Sequence, residues 1–387
     1  MPTPFPTFSS TEGRRAIRGV IKTKLGLDPH DFQLECVCKL LDGTDVFAIA
    51  ATGDGKSGLF SMYAISINTE LQPPGAATRF PLNPVLLVIC PTKSLEEDMA
   101  EFIQKLGLKT LAINTDALSD AGPKGKDSLR LEARNRAALV FLAPEQLNTK
   151  AFWQCLEDPV FQVRALGTAI DEVHILLTWG AKFRKAFSEI GLLRARMRSS
   201  TTILAVTATM KSGAPLRDVY RSLGLRDGNF FLLRRSNMRP NIQQVVRVMH
   251  SGIAGAEFPE FLHILYKKRK TIISCSTIAL SVGVMTYLWR SLTGPSAARE
   301  KRLRMYNSLN WPEFNRKTRA LMDLPNTGLI VIATDTLAVG FDRPDIEDVA
   351  NGVCLPLGIA ARASCEKMFD SGRMVPSARN LLPVLVL

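Results

Sequence analysis

The sequence predicts an α/β protein of two consecutive domains, each with a mostly parallel sheet flanked by helices. Short apolar runs, typical of buried strands, alternate along the chain with longer amphipathic stretches, typical of helices. This alternation starts again after Asn241. The length of 387 residues is sufficient for two domains. We therefore place the first domain at residues 1–235 and the second at residues 236–387.

The apolar runs of the first domain supply the strands of its predicted sheet. Such runs are expected where a parallel sheet is covered by helices on both faces. Residues 94–106 are predicted to form one of these helices, because acidic residues occupy its first turn. The predicted strands are residues 46–50, 85–90, 139–142, 165–170 and 203–206.

The second domain repeats this pattern, with strands predicted at residues 271–274, 329–333 and 381–387. The chain stops inside the last of these runs, so we expect this domain to be truncated. The basic run 267–270 lies between a predicted helix and a predicted strand. It is either a nuclear-targeting cluster or a solvated charged turn, and we favour the turn.

Composition and charge narrow the class of protein. The chain is 46% hydrophobic and 22% charged, as expected for a globular protein. Its net charge of +13 indicates a polyanionic partner such as nucleic acid. No apolar run approaches the ~20 residues of a membrane span, and residues 1–7 lack the apolar core of a secretory signal. We therefore expect an intracellular protein, nuclear if eukaryotic and otherwise cytoplasmic.

The seven cysteines are scattered, and no CxxC pair is present. Cys36 and Cys38 lie close together, but no further cysteine or histidine has the spacing of a zinc site. Buried, reduced thiols are the expected state.

The strand predicted at residues 46–50 is followed by a segment suited to hold phosphates, Ala51-Thr52-Gly53-Asp54-Gly55-Lys56-Ser57. Gly53 and Gly55 allow the backbone N–H groups to approach a triphosphate. Lys56 supplies positive charge, and the Ser57 hydroxyl is a ligand for Mg²⁺. The chain has Ala50 where the full consensus has glycine. We expect Thr52 and Asp54 to line the same nucleotide site.

The strand predicted at residues 165–170 ends at two adjacent acids, Asp171 and Glu172. Unpaired charges at the end of a buried strand cost several kcal/mol, which favours a functional explanation. We expect Asp171 to hold Mg²⁺ through water and Glu172 to polarise the water that attacks the terminal phosphate. His174 either couples the nucleotide to the next loop or is a core histidine with satisfied hydrogen bonds.

In this order and spacing, the motifs resemble the RecQ-type helicases of helicase superfamily 2. The resemblance implies two tandem RecA-like P-loop NTPase domains, with ATP and Mg²⁺ as cofactors and single-stranded or partly duplex DNA as the partner. Besides the two motifs above, it is carried by segments 89–95, 142–147, 205–209, 236–241, 274–277 and 333–345.

The resemblance also implies roles for individual residues. Gln33 corresponds to a glutamine that reads adenine, and Arg373 to a nucleotide-contacting arginine of motif VI. Ser276 and Thr334 correspond to residues that hold DNA. The residues that couple hydrolysis to domain movement correspond to Thr207, Thr209, Gly340 and Asp342.

The segment Trp179-Gly180-x-x-Phe183-Arg184 resembles the family's aromatic-rich loop, which senses single-stranded DNA. Stacking on an aromatic side chain contributes about 1–3 kcal/mol per base, and Arg184 adds a phosphate or cation–π contact. Alternatively, Trp179 and Phe183 form a core stripe on a helix, although Gly180 disfavours a helix there.

The chain also departs from the family pattern. Pro29 and His30 replace an aromatic and a basic residue that clamp adenine. In motif VI, Gly372 and Arg373 are kept, but Pro376 replaces the second arginine. We therefore predict a 3′–5′ DNA helicase that binds ATP and hydrolyses it slowly. The alternatives are a nucleic-acid-binding protein that binds ATP with weak or no hydrolysis, and an RNA helicase of the DEAD-box kind, which the Trp179 loop disfavours.

Overall fold

The structure is a computed structural model, and it separates into two compact units, Met1–Asn237 and Met238–Leu387. The described residues are 7–68, 80–90, 93–113, 132–133, 135–178, 190–237, 246–248, 255–334, 337, 345–353 and 384–386.

The first unit contains a seven-stranded sheet in which every recorded strand pairing is parallel. Its strand order is β3-β4-β2-β5-β6-β1-β7. The strands are β1 (Asp45–Ile49), β2 (Val85–Ile89), β3 (Thr110–Ile113), β4 (Leu139–Leu142), β5 (Ala165–Ile170), β6 (Thr202–Thr207) and β7 (Phe230–Arg234).

The central strands of this sheet are buried on both faces. In β1, Val46 and Ala48 belong to one apolar core, and Phe47 and Ile49 to the other. Successive side chains of a strand lie on opposite faces, so an apolar run covers both. The helices of the unit are Thr11–Leu25, Asp31–Leu41, Gly58–Asn68, Lys93–Lys105, Lys150–Leu156, Pro159–Arg164, Ile175–Thr178 and Ala214–Ser222, with a 3₁₀ helix at Pro144–Asn148.

The second unit contains a six-stranded sheet with strand order β10-β11-β9-β12-β13-β8. The strands β10, β11, β9 and β12 are parallel, whereas β13 is antiparallel to both of its neighbours. The strands are β8 (Val246–Val248), β9 (Thr271–Cys275), β10 (Leu303–Tyr306), β11 (Ile330–Ala333), β12 (Asp348–Val353) and β13 (Val384–Val386). The helices are Leu262–Tyr266, Ile278–Ser291, Ser296–Arg302 and Pro312–Asp323, with a 3₁₀ helix at Pro259–Phe261.

Eight predicted strands are present, and the boundaries of seven of them lie within one residue of the prediction. Of the eighth, predicted at residues 381–387, the structure describes Val384–Val386, and these residues form β13. The strands that we did not predict are β3, β7, β8, β10 and β12. Edge position and polar residues explain several of these omissions: Arg304 lies within β10, and the edge strand β7 is only partly buried. Such strands lack the continuous apolar run on which the prediction depended.

The basic run 267–270 is a solvated turn, as predicted, over residues 267–269, which are exposed between the helix Leu262–Tyr266 and β9, whereas Lys270 is buried. Lys270 is only 3% exposed. Its Nζ donates to two backbone carbonyl oxygens at 2.7 and 2.9 Å and pairs with Asp345. Lys267 and Arg269 both pair with Asp348. For Lys270 the prediction was wrong because its acidic partner, Asp345, lies 75 residues later in the chain, where the local sequence around Lys270 carries no sign of it.

Five cysteines lie among the described residues, and four of them are buried. Burial raises the pKa of Cys36 to about 12 and that of Cys38 to about 11. Burial likewise raises the pKa of Cys275 to about 12. Thiols with such pKa values are protonated and unreactive at neutral pH, which agrees with the predicted buried, reduced state.

In the described part of the chain, no helix combines the length and the hydropathy that crossing a membrane requires.

Candidate nucleotide site

The predicted phosphate-binding segment connects β1 to the helix Gly58–Asn68 at the carboxyl end of β1. Gly53 and Gly55 have φ values of +87° and +80°, which L side chains rarely adopt. A Cβ atom on Gly55 would lie 2.6 Å from Nε2 of Gln33. Glycine is therefore required at position 55 by both its backbone conformation and its neighbour.

Lys56 is the buried centre of this segment. Its Nζ donates a hydrogen bond to the backbone oxygen of Ala51 at 2.9 Å, so the side chain lies under the loop. Thr52, Gly53, Gly55 and Ser57 are exposed around it, and Asp54 is half-buried. The arrangement presents exposed backbone and a hydroxyl around one positive charge, which suits a bound phosphate.

Gln33 contacts the segment directly. Its Oε1 accepts from the backbone N–H of His30 at 2.9 Å, and its Nε2 donates to the backbone oxygen of Gly55 at 2.9 Å. The buried amide therefore links the start of the helix Asp31–Leu41 to the phosphate-binding segment. Adenine reading by Gln33 stays a prediction, and the geometry shows that Gln33 also holds this segment in place.

Arg235 is a residue of this site that the sequence did not reveal. Its guanidinium carbon lies 4.4 Å from the centroid of the Phe32 ring, within cation–π range. Its Nε lies 3.5 Å from Oδ2 of Asp54. Arg235 follows β7, which pairs with β1, and its backbone N–H donates to the oxygen of Ile49. No local motif marks Arg235, because only the pairing of β7 with β1 brings it here.

The two acids follow β5, as predicted. Asp171 is buried, and its Oδ1 accepts from the backbone N–H of Glu172 at 2.7 Å. Burial, and after it the charge of Glu172, raises the pKa of Asp171 to about 7. Glu172 itself has a φ of +48°, which is uncommon for a non-glycine residue. Strained residues of this kind concentrate at functional sites.

The donor set fits a magnesium ion that is shared with a triphosphate. A buried carboxylate with a raised pKa is stabilised in its charged form by a bound divalent cation. Mg²⁺ commonly takes one or two protein oxygens, with water and phosphate oxygens completing its shell. The Ser57 hydroxyl would supply such an oxygen, and Asp171 would hold the ion through one of its water ligands. Among the described residues, no group of three or more His, Cys, Asp or Glu side chains could hold a metal by itself, and a shared ion does not require one.

His174 joins the acid pair to β6. Its Nδ1 lies 3.0 Å from Oε2 of Glu172 and 2.8 Å from the hydroxyl oxygen of Thr207. The Thr207 hydroxyl donates to the backbone oxygen of Thr209 at 3.1 Å. The hydroxyl proton of Thr207 is used in this hydrogen bond to Thr209. The Thr207 oxygen therefore accepts a hydrogen bond from His174, whose Nδ1 atom carries the hydrogen. The structure thus brings together Glu172, His174, Thr207 and Thr209, and the coupling role of His174 stays a prediction.

Two predicted DNA contacts lie in the second unit. Ser276 is exposed and follows β9, just before the helix Ile278–Ser291. Thr334 follows β11 and is half-buried. Because β9 and β11 are parallel neighbours, both residues lie at the same edge of the sheet. The remaining predicted site residues lie outside the described residues: Trp179, Phe183, Arg184, Gly340, Asp342 and Arg373.

Comparison with known proteins agrees with this geometry. A family model described as DEAD/DEAH box helicase matches residues 30–216, which include Lys56, the acid pair and Thr207. The chain is 27% identical over 320 residues to the ATP-dependent DNA helicase Q1 of Mus musculus, a match that covers 82% of this chain and 45% of that protein. It is 24% identical over 338 residues to the ATP-dependent DNA helicase RecQ of Synechocystis sp., with 86% of this chain and 64% of that protein covered.

The solved structure of the DUF1998 helicase MrfA bound to DNA is similar to this fold. Its TM-score is 0.65 at 16% identity, and the match covers 96% of this chain and 50% of that chain. The predicted fold class, two tandem RecA-like domains with mostly parallel sheets, is confirmed by this likeness and by the two sheets. The chain spans about half the length of the mouse protein that it matches.

Proposed function

Because the chain belongs to the RecQ-type helicases of superfamily 2, we propose that it couples ATP hydrolysis to 3′–5′ movement along single-stranded DNA. The observation that carries the proposal is the bridge that His174 makes between Glu172, at the acid pair, and Thr207. The 3′–5′ polarity rests on the resemblance to the family alone.

The residues of the first unit have distinct tasks in this proposal. Lys56 leaves the Ala51 carbonyl and binds the outer phosphates of ATP, while Gly53 and Gly55 allow backbone N–H groups to approach them. Ser57, and Asp171 through water, would hold the Mg²⁺ ion. When bound, Mg²⁺ offsets the negative charge of the phosphate oxygens.

Glu172 orients the water that attacks the terminal phosphate, and His174 holds the Glu172 carboxylate by its Nδ1–H group. A change at Thr207 or Thr209 therefore reaches the water-orienting carboxylate through one imidazole ring. This is the physical route by which DNA binding would alter hydrolysis.

Three features support DNA as the polymer. The net charge of +13 favours a polyanion. The segment with Trp179, Phe183 and Arg184 offers stacking and a phosphate contact. Ser276 and Thr334 lie at one edge of the second sheet, where hydroxyl and backbone groups suit phosphates.

A second candidate function is ATP-dependent nucleic-acid binding with slow hydrolysis. The specific observation that favours it is Pro376, which stands where the family has the second arginine of motif VI. Proline has neither a charge nor an N–H donor, so it cannot stabilise the charge that develops during phosphoryl transfer.

ATP turnover with and without nucleic acid tests the proposal. Turnover is measured with no polymer, with single-stranded DNA and with single-stranded RNA of the same length, and Glu172→Gln is the inactive control. We expect DNA to stimulate most. Stimulation by RNA but not by DNA would exclude a DNA translocase, and ATP binding without stimulated turnover would support the second candidate. Duplexes with a 3′ or a 5′ single-stranded tail then test the polarity.

A further inference from the structure

The second unit carries two large apolar side chains that are almost fully exposed and two residues apart. Leu309 is 78% exposed and Trp311 is 83% exposed. Both lie in the segment that connects β10 to the helix Pro312–Asp323. We call Leu309 and Trp311 the Leu309–Trp311 surface. An exposed tryptophan loses the stabilisation that burial would give, so this placement requires an explanation other than core packing.

Trp311 also occupies a position where another residue type would stabilise the fold. It is the N-cap of the helix Pro312–Asp323 and makes no side-chain hydrogen bond to the first turn. Serine, threonine, aspartate and asparagine are preferred there because their oxygen accepts a backbone N–H. A residue that is unfavourable both for exposure and for helix capping indicates a function at that position.

The segment is held in a defined conformation. The buried side-chain oxygen of Asn307 accepts from the backbone N–H groups of Leu309 and Asn310 at 2.9 and 3.1 Å. The side chain of Asn310 donates to Met305, and that of Asn315 donates to the backbone oxygen of Asn307, both at 2.9 Å. Leu309 and Trp311 are therefore presented to solvent by a hydrogen-bonded loop, and binding a ligand would require little ordering.

The strand order places this surface beside Ser276 and Thr334, at the edge of the sheet that is formed by the carboxyl ends of the parallel strands. Tyr306, the last residue of β10, pairs with Ala333, the last residue of β11. The backbone N–H of Thr334 donates to the oxygen of Tyr306. Since β10, β11 and β9 are parallel, the segments that follow them share one edge.

The charge next to this surface is mainly positive. Within the helix Pro312–Asp323, Arg316, Lys317 and Arg319 are exposed. Of the two acids in this helix, Glu313 pairs with Lys317 at 3.2 Å and with Arg316 at 4.0 Å, and Asp323 is the last residue of the helix, at the end away from Trp311. An aromatic side chain beside basic groups matches a ligand that combines flat apolar rings with negative charge.

From these observations we propose that the Leu309–Trp311 surface is a base-stacking contact for single-stranded DNA. The inference rests on the proposed function, because it assumes that DNA crosses this edge of the second sheet. A base stacks on the indole ring of Trp311, and Leu309 makes an apolar contact with the same base. The basic residues of the helix Pro312–Asp323 attract the phosphates. Stacking tolerates any base, as a protein that moves along DNA requires.

Binding of the full-length protein to two fluorescent strands tests this proposal. One strand is an oligothymidylate of about 12 nucleotides, and the other is an abasic strand of the same length, which has the phosphates but no bases. We expect Trp311→Ser to weaken binding of the oligothymidylate about 5- to 150-fold and to leave the abasic strand unchanged. Trp311→Phe, which keeps an aromatic ring, should retain most of the affinity.

Tyr266→Ser is the matched control. Tyr266 is 82% exposed and belongs to the same unit, but it precedes β9 and therefore lies toward the opposite edge of the sheet. We expect it to bind both strands like the wild-type protein. Trp311→Ser introduces a preferred N-cap residue, so its thermal unfolding temperature should not fall below that of the wild type.

Several results would overturn the proposal. If the wild type binds the oligothymidylate and Trp311→Ser binds it equally well, the stacking contact is wrong, whereas the proposed function stands. An equal loss on the abasic strand would show that Trp311 acts without bases. If Trp311→Ser instead dissociates a wild-type dimer and leaves DNA binding intact, the surface holds a second copy of the chain. If the wild type binds neither strand, the proposed function itself fails.

Discussion

The Nδ1 atom of His174 lies 2.8 Å from the hydroxyl oxygen of Thr207, although the two residues are 33 positions apart in the sequence. The same nitrogen lies 3.0 Å from Oε2 of Glu172. The Nδ1 atom of His174 thus lies between the carboxylate that we assign to hydrolysis and the end of β6, which leads to Thr209. The position of Glu172 and the conformation of residues 207–209 are therefore not independent.

We predict that removing either partner of this bridge uncouples hydrolysis from DNA. In His174→Ala and in Thr207→Val, ATP binding should be unchanged, while DNA-stimulated turnover should fall about 5- to 150-fold, the usual range of a coupling free energy between sites. The double variant should be no worse than the poorer single variant, because both remove the same link. Steady-state turnover with and without DNA measures this, with His263→Ala as the control. Additive losses would show that the two residues act separately.

We predict that Lys56→Ala weakens ATP binding about 10- to 100-fold, as expected for the loss of a charge-assisted contact. The fold should remain intact, because the hydrogen bond from Lys56 to the backbone oxygen of Ala51 lies within the phosphate-binding segment itself. Titration with a fluorescent ATP analogue measures the affinity. Lys105→Ala removes an exposed lysine of the same unit and should have no effect. Equal ATP affinity in Lys56→Ala and the wild type would disprove the assignment of the phosphate site.

We predict that Asp171→Asn stabilises the nucleotide-free protein while abolishing turnover. Burial and the charge of Glu172 raise the pKa of Asp171 to about 7, so the folded state at pH 8 contains an unfavourable ionised group. Removing that charge should raise the unfolding temperature by about 2 to 10 °C in the presence of a metal chelator. Thermal unfolding followed by circular dichroism measures the change.

The stabilisation of the protein by Asp171→Asn should depend on pH in a definite direction. A carboxyl group whose pKa is raised on folding destabilises the protein as pH rises through the folded-state pKa. The difference in unfolding temperature between Asp171→Asn and the wild type should therefore be large at pH 8 and small at pH 5. The exposed acid Asp218, replaced by asparagine, should show no such trend. A gap that is the same at both pH values would contradict the assigned cause.

We predict that Trp179→Ala and Arg184→Ala lose DNA stimulation and keep ATP binding. These residues follow the acid pair and His174 directly in sequence, so a DNA contact there is suited to alter the acid pair. The ratio of turnover with DNA to turnover without it is the measurement. A stable Trp179→Ala protein that is fully stimulated by DNA would assign Trp179 to core packing instead.

We predict that Pro376→Arg, combined with Val375→Gly, raises DNA-stimulated turnover by at least about tenfold. Arginine fingers contribute roughly 10³–10⁵ in rate in related NTPases, and proline cannot replace one. Wild-type turnover should accordingly be slow, with ATP binding retained. Arg379→Ala is the informative comparison. Fast wild-type turnover that is lost in Arg379→Ala would show that Arg379 has taken over this role.

The sequence alone determined the order of the elements and the location of the phosphate-binding segment. The run at β5 is apolar on both faces and ends in two acids, so it indicated both a buried strand and a reactive strand end. Gly53, Gly55, Lys56 and Ser57 were recognisable because their chemistry depends on neighbours in the chain. Information of this kind is local, since strand periodicity and turn conformation are set by adjacent residues.

Only the tertiary structure decided which distant side chains meet. Thr207 reaches His174 because β6 pairs with β5, and Arg235 reaches Phe32 and Asp54 because β7 pairs with β1. Lys270 is buried rather than solvated because Asp345 and two carbonyl groups surround its ammonium group. Strand order follows from the packing of the whole sheet and not from any single segment, so the partners of a side chain are fixed only when the sheet is complete.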